Sequence, residues 1–218
     1  DGVYHYRPDA HLLEQRAAVA STKPGGPVAL LGLTSIHWRE AWKYGERAYR
    51  YCQLDVGHAA AALAYAAALL GWRLRPLAQW PDAAVAALLG VDRPTLGAEA
   101  EHPDLLLAVD TGPAGDAVDP DVWLKWMSEA EWRGRPNVLD RRPLYQWPVI
   151  EAVSRATAKP ATPAPANQKR WRCSLAINEG LVGEVMAASL TSSHYVHLTV
   201  ANGAGAPPAC RRAKLSPM

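Results

Sequence analysis

Between Trp38 and Trp72 the pattern of polar and apolar positions changes once. A charged, aromatic first half gives way to an alanine-rich second half with hardly a polar position from Ala59 to Leu70. An apolar run of this length, with no Gly or Pro inside it, predicts a buried helix rather than a strand. Cys52, Val56, Ala59, Leu63, Ala67 and Leu70 follow one another at steps of three and four, so a helix through them carries one continuous apolar stripe. The alanines favour helix and permit close backbone approach. Such a helix either runs through the middle of a domain or divides its surface between the domain and a subunit interface. It is too short, and too polar in its first half, to span a membrane.

The shorter segments are set off by turn residues. The break from Ser21 to Pro27 is rich in Pro and Gly, and the apolar run Val28 to Thr34 after it predicts a buried strand. Arg73 to Leu77 predicts a second strand, Pro81 opens a short helix through Leu89 that Gly90 ends, and Leu105 to Val109 predicts a third strand. Strand, long helix, strand, short helix, strand is an α+β pattern. Thr111 to Asp121 reads as a surface loop. Val122 to Trp132 carries Trp123, Trp126, Met127 and Trp132 and predicts a small amphipathic helix. Its tryptophans either cover a pocket as a lid or seal the core, and aromatic packing favours the second. Residues 156–167 form a Pro/Ala linker of extended character, which separates a domain at 1–155 from a tail at 168–218. The tail is weakly periodic and is expected to be poorly packed.

Composition narrows the function classes. With 218 residues and 49% hydrophobic content there is material for one ordinary domain and a smaller appendage. A net charge of +2, without a basic stripe interleaved with aromatics, argues against a nucleic-acid partner. Phe is absent, so the 9 Trp and 8 Tyr are expected to fill the large core positions. Cys52, Cys173 and Cys210 show no CxxC spacing and read as free thiols in a reducing compartment. His194 and His197 lack a third ligand, so no metal is expected. The charged opening of the chain is not that of a signal peptide, and the cytoplasm is the expected location.

The candidate chemistry lies in the charged half. In a helix that extends back through Glu46, the residues Arg47, Tyr51, Asp55 and His58 share one face. Lys43 and Tyr44 stand just before Gly45, which can break the helix and leave an amine and a phenol at its end. Each feature has a plainer reading. Lys43 alone is an ordinary solvated lysine, Glu46 with Arg50 is a weak i,i+4 surface pair, and His58 beside Asp55 is a structural histidine. Spacing by itself gives no enzyme.

The strings KYGERAYRY and DVGHAAAALAYAAALLG together resemble the central segment of the nitroreductase superfamily, in the branch of thiazole/oxazole-forming dehydrogenases, the azoline oxidases. GVYHYRPDAHLLEQRA is similar to that branch's hairpin, VALLGLTS to its central strand, AVAALLGVDRP to its short helix and loop, and PDLLLAVDTG to its last sheet strand. RGRPNVLDRRPLYQWPVIEAV continues the resemblance more weakly. The resemblance implies an α+β fold that lacks its N-terminal flavin-binding segment here, FMN as cofactor, and a homodimer formed through the Ala-rich helix with flavin at the interface. It also implies that Lys43 and Tyr44 take a proton from a ring in a small-molecule or peptide substrate while flavin accepts a hydride. Arg39 and Arg47 would either bind the FMN phosphate or lower the Lys43 pKa through their charge. Backbone N–H groups of Ala78 or Gln79 would approach the flavin ring. A homologous but non-catalytic scaffold subunit that binds no FMN, and a fragment needing its upstream part in trans, are the alternatives.

Overall fold

In the computed structural model, which describes residues 1–27, 29–93, 99–112, 117–163 and 194–200, the chain opens with a hairpin. Strand β1 (Gly2–Arg7) pairs antiparallel with β2 (Leu12–Ala18), and His11 in the turn takes the left-handed φ of 51°. There follow β3 (Ala29–Ser35), α1 (Trp38–Tyr44), a 3-10 turn (Gly45–Arg47), α2 (Ala48–Leu69), β4 (Arg73–Pro76) and α3 (Asp82–Leu89). The chain continues through β5 (His102–Asp110), α4 (Pro120–Met127), β6 (Glu131–Trp132), α5 (Pro148–Ala156) and β7 (His194–Val200). The class is α+β, as the element order predicts. The strands form one seven-stranded antiparallel sheet in the order β4-β5-β3-β7-β1-β2-β6, in which β7 pairs with both β3 and β1.

The alternation along β3 and β5 explains the layers. Leu30, Leu106 and Ala108 face Trp80, Val85, Leu88 and Trp123, while Leu31, Leu33, Leu107 and Val109 face Val56, Ala59, Leu63 and Ala67 of α2. Both faces of these strands are covered, which is why they read as unbroken apolar runs instead of alternating ones. Gly32 makes the close packing of α3 possible, because a Cβ there would overlap the Leu89 side chain. The expectation that tryptophans fill the core holds for Trp80 and Trp123, which are fully buried, with the Trp80 indole N–H donating to the Val118 carbonyl at 3.1 Å, whereas Trp42 and Trp147 are exposed. Trp132 leaves the predicted helix and packs on the same cluster from β6.

Gly45, at φ 59°, ends α1, and the predicted stripe from Cys52 to Ala67 is buried against the sheet. Leu70 departs from it; it caps α2 and lies exposed. The opposite face of α2, with Arg50, Leu54, Gly57, His58, Ala61 and Tyr65, is open to solvent. The helix is thus buried on one side and open on the other rather than crossing the middle of the domain. Pro81 and Gly90, the latter at φ 74° in the left-handed region, bound α3 as predicted.

One expectation about the end of the chain needs correction. His194–Val200, assigned to a poorly packed tail, is an interior strand with neighbours on both edges. Its pairing provides main-chain partners for β1 and β3. The start of the linker is also anchored. The Asp82 N–H donates to the Lys159 carbonyl at 3.0 Å, and the Lys159 N–H donates to the Asp82 carboxylate at 2.7 Å. Residues 164–193 and 201–218 lie outside those described. Among the described residues, no helix is long and apolar enough to cross a membrane.

Candidate functional site

Lys43 and Tyr44 end α1 because Gly45 takes a backbone conformation that stops the helix. The Lys43 ammonium lies 4.8 Å from the centre of the Tyr44 ring, which in turn leans on Tyr51 at 4.6 Å between centroids. Lys43 is fully exposed, and the Tyr44 hydroxyl holds its pKa above the ordinary lysine value, with Glu40 adding to the effect. A proton-abstracting lysine calls for the opposite direction. Among the described residues the desolvation of this amine is outweighed by Tyr44, and that is the physical reason for the difference.

Arg39 turns inward. It is buried, its Nε donates to Glu99 Oε2 at 2.6 Å, and one terminal nitrogen donates to the Asn137 carbonyl at 3.0 Å. The second Glu99 oxygen accepts from the N–H groups of Leu139 at 2.7 Å and Asp140 at 3.2 Å. This carboxylate fastens α1 to the segment 137–140, and the expected phosphate role of Arg39 is replaced by an interior ion pair. Arg47 is exposed on the 3-10 turn, close in sequence to Lys43. Ala78 and Gln79 leave β4 at the same end of the sheet at which β3 leads into α1. Their carbonyls accept hydrogen bonds from Thr162, at 3.1 Å from its hydroxyl to Ala78 and 3.5 Å from its N–H to Gln79. Trp80 beside them points into the core. Lys43, Tyr44 and Arg47 are therefore grouped at one helix junction, whereas Arg39 is withdrawn from it.

A second cluster forms at that same end of the sheet from residues far apart in the chain. His37 precedes α1 and is 1% exposed; its ring stacks on His102 at 4.5 Å and meets the edge of Tyr49 at 5.2 Å. His102 opens β5 opposite Ser35. Helix α5 is seated by Ile150 against Ala41 and Ala48, and by the Tyr49 and Thr157 hydroxyls 2.7 Å apart. That seating brings Glu151 and Ser154, spaced i,i+3 on one face, onto His102. Ser154 Oγ is 3.2 Å from His102 Nδ1, and Glu151 Oε2 is 3.3 Å from His102 Nε2. The His102 imidazole holds the Glu151 carboxyl below its ordinary value, against burial, which acts the other way. Sequence reasoning missed this cluster, and the i,i+3 pair on α5 was its one local signal.

Set against known proteins, the chain matches no family model, no curated protein and no solved structure.

Proposed function

We propose that the chain is a nitroreductase-type FMN-dependent oxidoreductase subunit that acts as a homodimer through the outer face of α2. Its substrate class is azoline-like rings in small molecules or peptides, and its location is the cytoplasm. The observation that supports this most is the Lys43–Tyr44 pair at the α1 end, with Lys43 exposed, Arg47 close in sequence, and Trp42, Leu54 and Tyr65 facing solvent along the helices. A partner protomer over this face would remove water from Lys43 and drive its pKa down, the reverse of its direction in the free chain. Lys43 Nζ would then accept the ring proton, and the Tyr44 hydroxyl would orient the amine. FMN, when bound, supplies the hydride acceptor. Arg47 fits its phosphate, with Ala78 and Gln79 offering backbone N–H groups; Arg39 does not fit, being committed to Glu99.

The engagement of Arg39 and the raised Lys43 pKa favour a second reading, a scaffold subunit of the same fold that binds no flavin. Titrating the purified chain with FMN, by quenching of flavin fluorescence, separates the two. Saturable binding, with ring-dehydrogenating turnover lost in Lys43→Ala, supports the oxidoreductase. Absence of binding together with stable hetero-association supports the scaffold.

A further inference from the structure

We infer that His37, His102 and Glu151 form a binding site for a divalent transition-metal ion that locks α5 onto the end of the sheet. This site is separate from the flavin reading and does not depend on it. One ligand atom from each residue lies within 4.8 Å of the other two, and the three residues come from three different elements. In a tetrahedral site with bonds of about 2.1 Å the ligand atoms stand about 3.4 Å apart, so binding requires a contraction together with a turn of the His37 ring out of its stack on His102.

The arrangement around His102 favours an ion over a simple ion pair. Its Nε2 is buried and only 3.3 Å from Glu151 Oε2, yet the two are not aligned as a hydrogen bond. Ser154 engages Nδ1 at 3.2 Å, the outer-shell contact that fixes ring orientation and leaves the other nitrogen for ligation. His37 supplies a buried floor, and the Glu151 side chain, 39% exposed, gives an ion a way in and leaves room for water as a further ligand. Two imidazoles and one carboxylate suit borderline ions such as Zn(II) and Co(II) rather than Ca(II) or Mg(II), which take oxygen donors.

The test is isothermal titration of the full chain, freed of metal by chelator, with Zn(II), and in parallel the visible absorption of the Co(II) complex. One Zn(II) per chain is expected, with affinity reduced by roughly 100-fold or more in His102→Gln and in Glu151→Gln, beyond the effect of losing an outer-shell contact. His58→Gln, an exposed histidine on α2, should leave affinity unchanged. Glu151 is partly exposed on a helix, so Glu151→Gln keeps the fold and carries the test if His102→Gln does not. Absence of Zn(II) binding overturns the inference, as does binding whose affinity falls less than about tenfold in Glu151→Gln.

Discussion

Arg39 is the residue whose sequence reading and structural position differ most, and its removal has a calculable consequence. Arg39→Met leaves the Glu99 carboxylate, only 5% exposed, without its cationic partner. Breaking one side of a buried pair costs about 3–5 kcal/mol. The lower end applies here, because Glu99 keeps the N–H groups of Leu139 and Asp140. Glu99→Leu costs a similar amount by stranding the guanidinium with the Asn137 carbonyl as a remaining acceptor. In the double variant no buried charge remains, and Leu139 and Asp140, both exposed, find water for their N–H groups. Its cost should therefore fall short of the sum of the singles by about 2 kcal/mol or more. Urea unfolding reads this directly. With a slope of about 2 kcal/mol/M, each single variant lowers the midpoint by about 1.5 M, and the double by less than the two together. Strictly additive losses, or a single variant within about 0.5 kcal/mol of the parent, as for an ordinary surface change, would refute the interior ion pair.

Three further outcomes follow from the same geometry. Burial, and then the nearby carboxylates of Glu40, Asp104 and Asp55, push the Cys52 thiol up to about 12. In a Cys173→Ser/Cys210→Ser background, iodoacetamide at pH 8 should label Cys52 only through unfolding, and labelling at the rate of a free thiol would contradict its place in the core. Glu151 has a folded pKa below its ordinary 4.5, so the stability it contributes is complete above pH 4.5 and is lost as pH falls beneath that value. Thermal midpoints measured downward from pH 5 should fall less steeply in Glu151→Gln, whereas parallel profiles would remove the His102 contact. Strand β7 has neighbours on both edges, so hydrogen exchange in His194–Val200 should require global unfolding, while β4 and β6 at the sheet edges exchange by local opening. Fast exchange in β7 would return it to the tail.

How much of this was legible depends on the range over which each signal acts. The strand β3, the helices α2 and α3 and the strand β5 announce themselves locally, because a strand buried on both faces and a helix with one apolar stripe have distinct patterns. Gly45 and Gly90 mark breaks that the backbone then makes with positive φ. The strand β7 had a period-two signal in Val196, Leu198 and Val200, obscured by a tail of weak pattern around it. Helix α5 had a helical signal, in Pro148 at its start followed by Val149, Ile150 and Val153. The inward turn of Arg39 could not be read, because its partner Glu99 is a distant residue brought near only by folding. The same holds for His37, His102 and Glu151, whose meeting depends on the pairing of β3 with β5 and on the docking of α5. Lys43 and Tyr44 were found where the sequence placed them, but the direction of the lysine pKa depends on what covers the helix face.

That dependence gives the most direct test of the proposed function. Sedimentation velocity with FMN absorbance should show a dimer that carries flavin. Ala61→Glu, a charge set in the middle of the exposed face of α2, should yield a folded monomer that has lost the flavin as well. Flavin bound undiminished by the Ala61→Glu monomer, or a parent chain that stays monomeric and colourless at saturating FMN, would contradict the account.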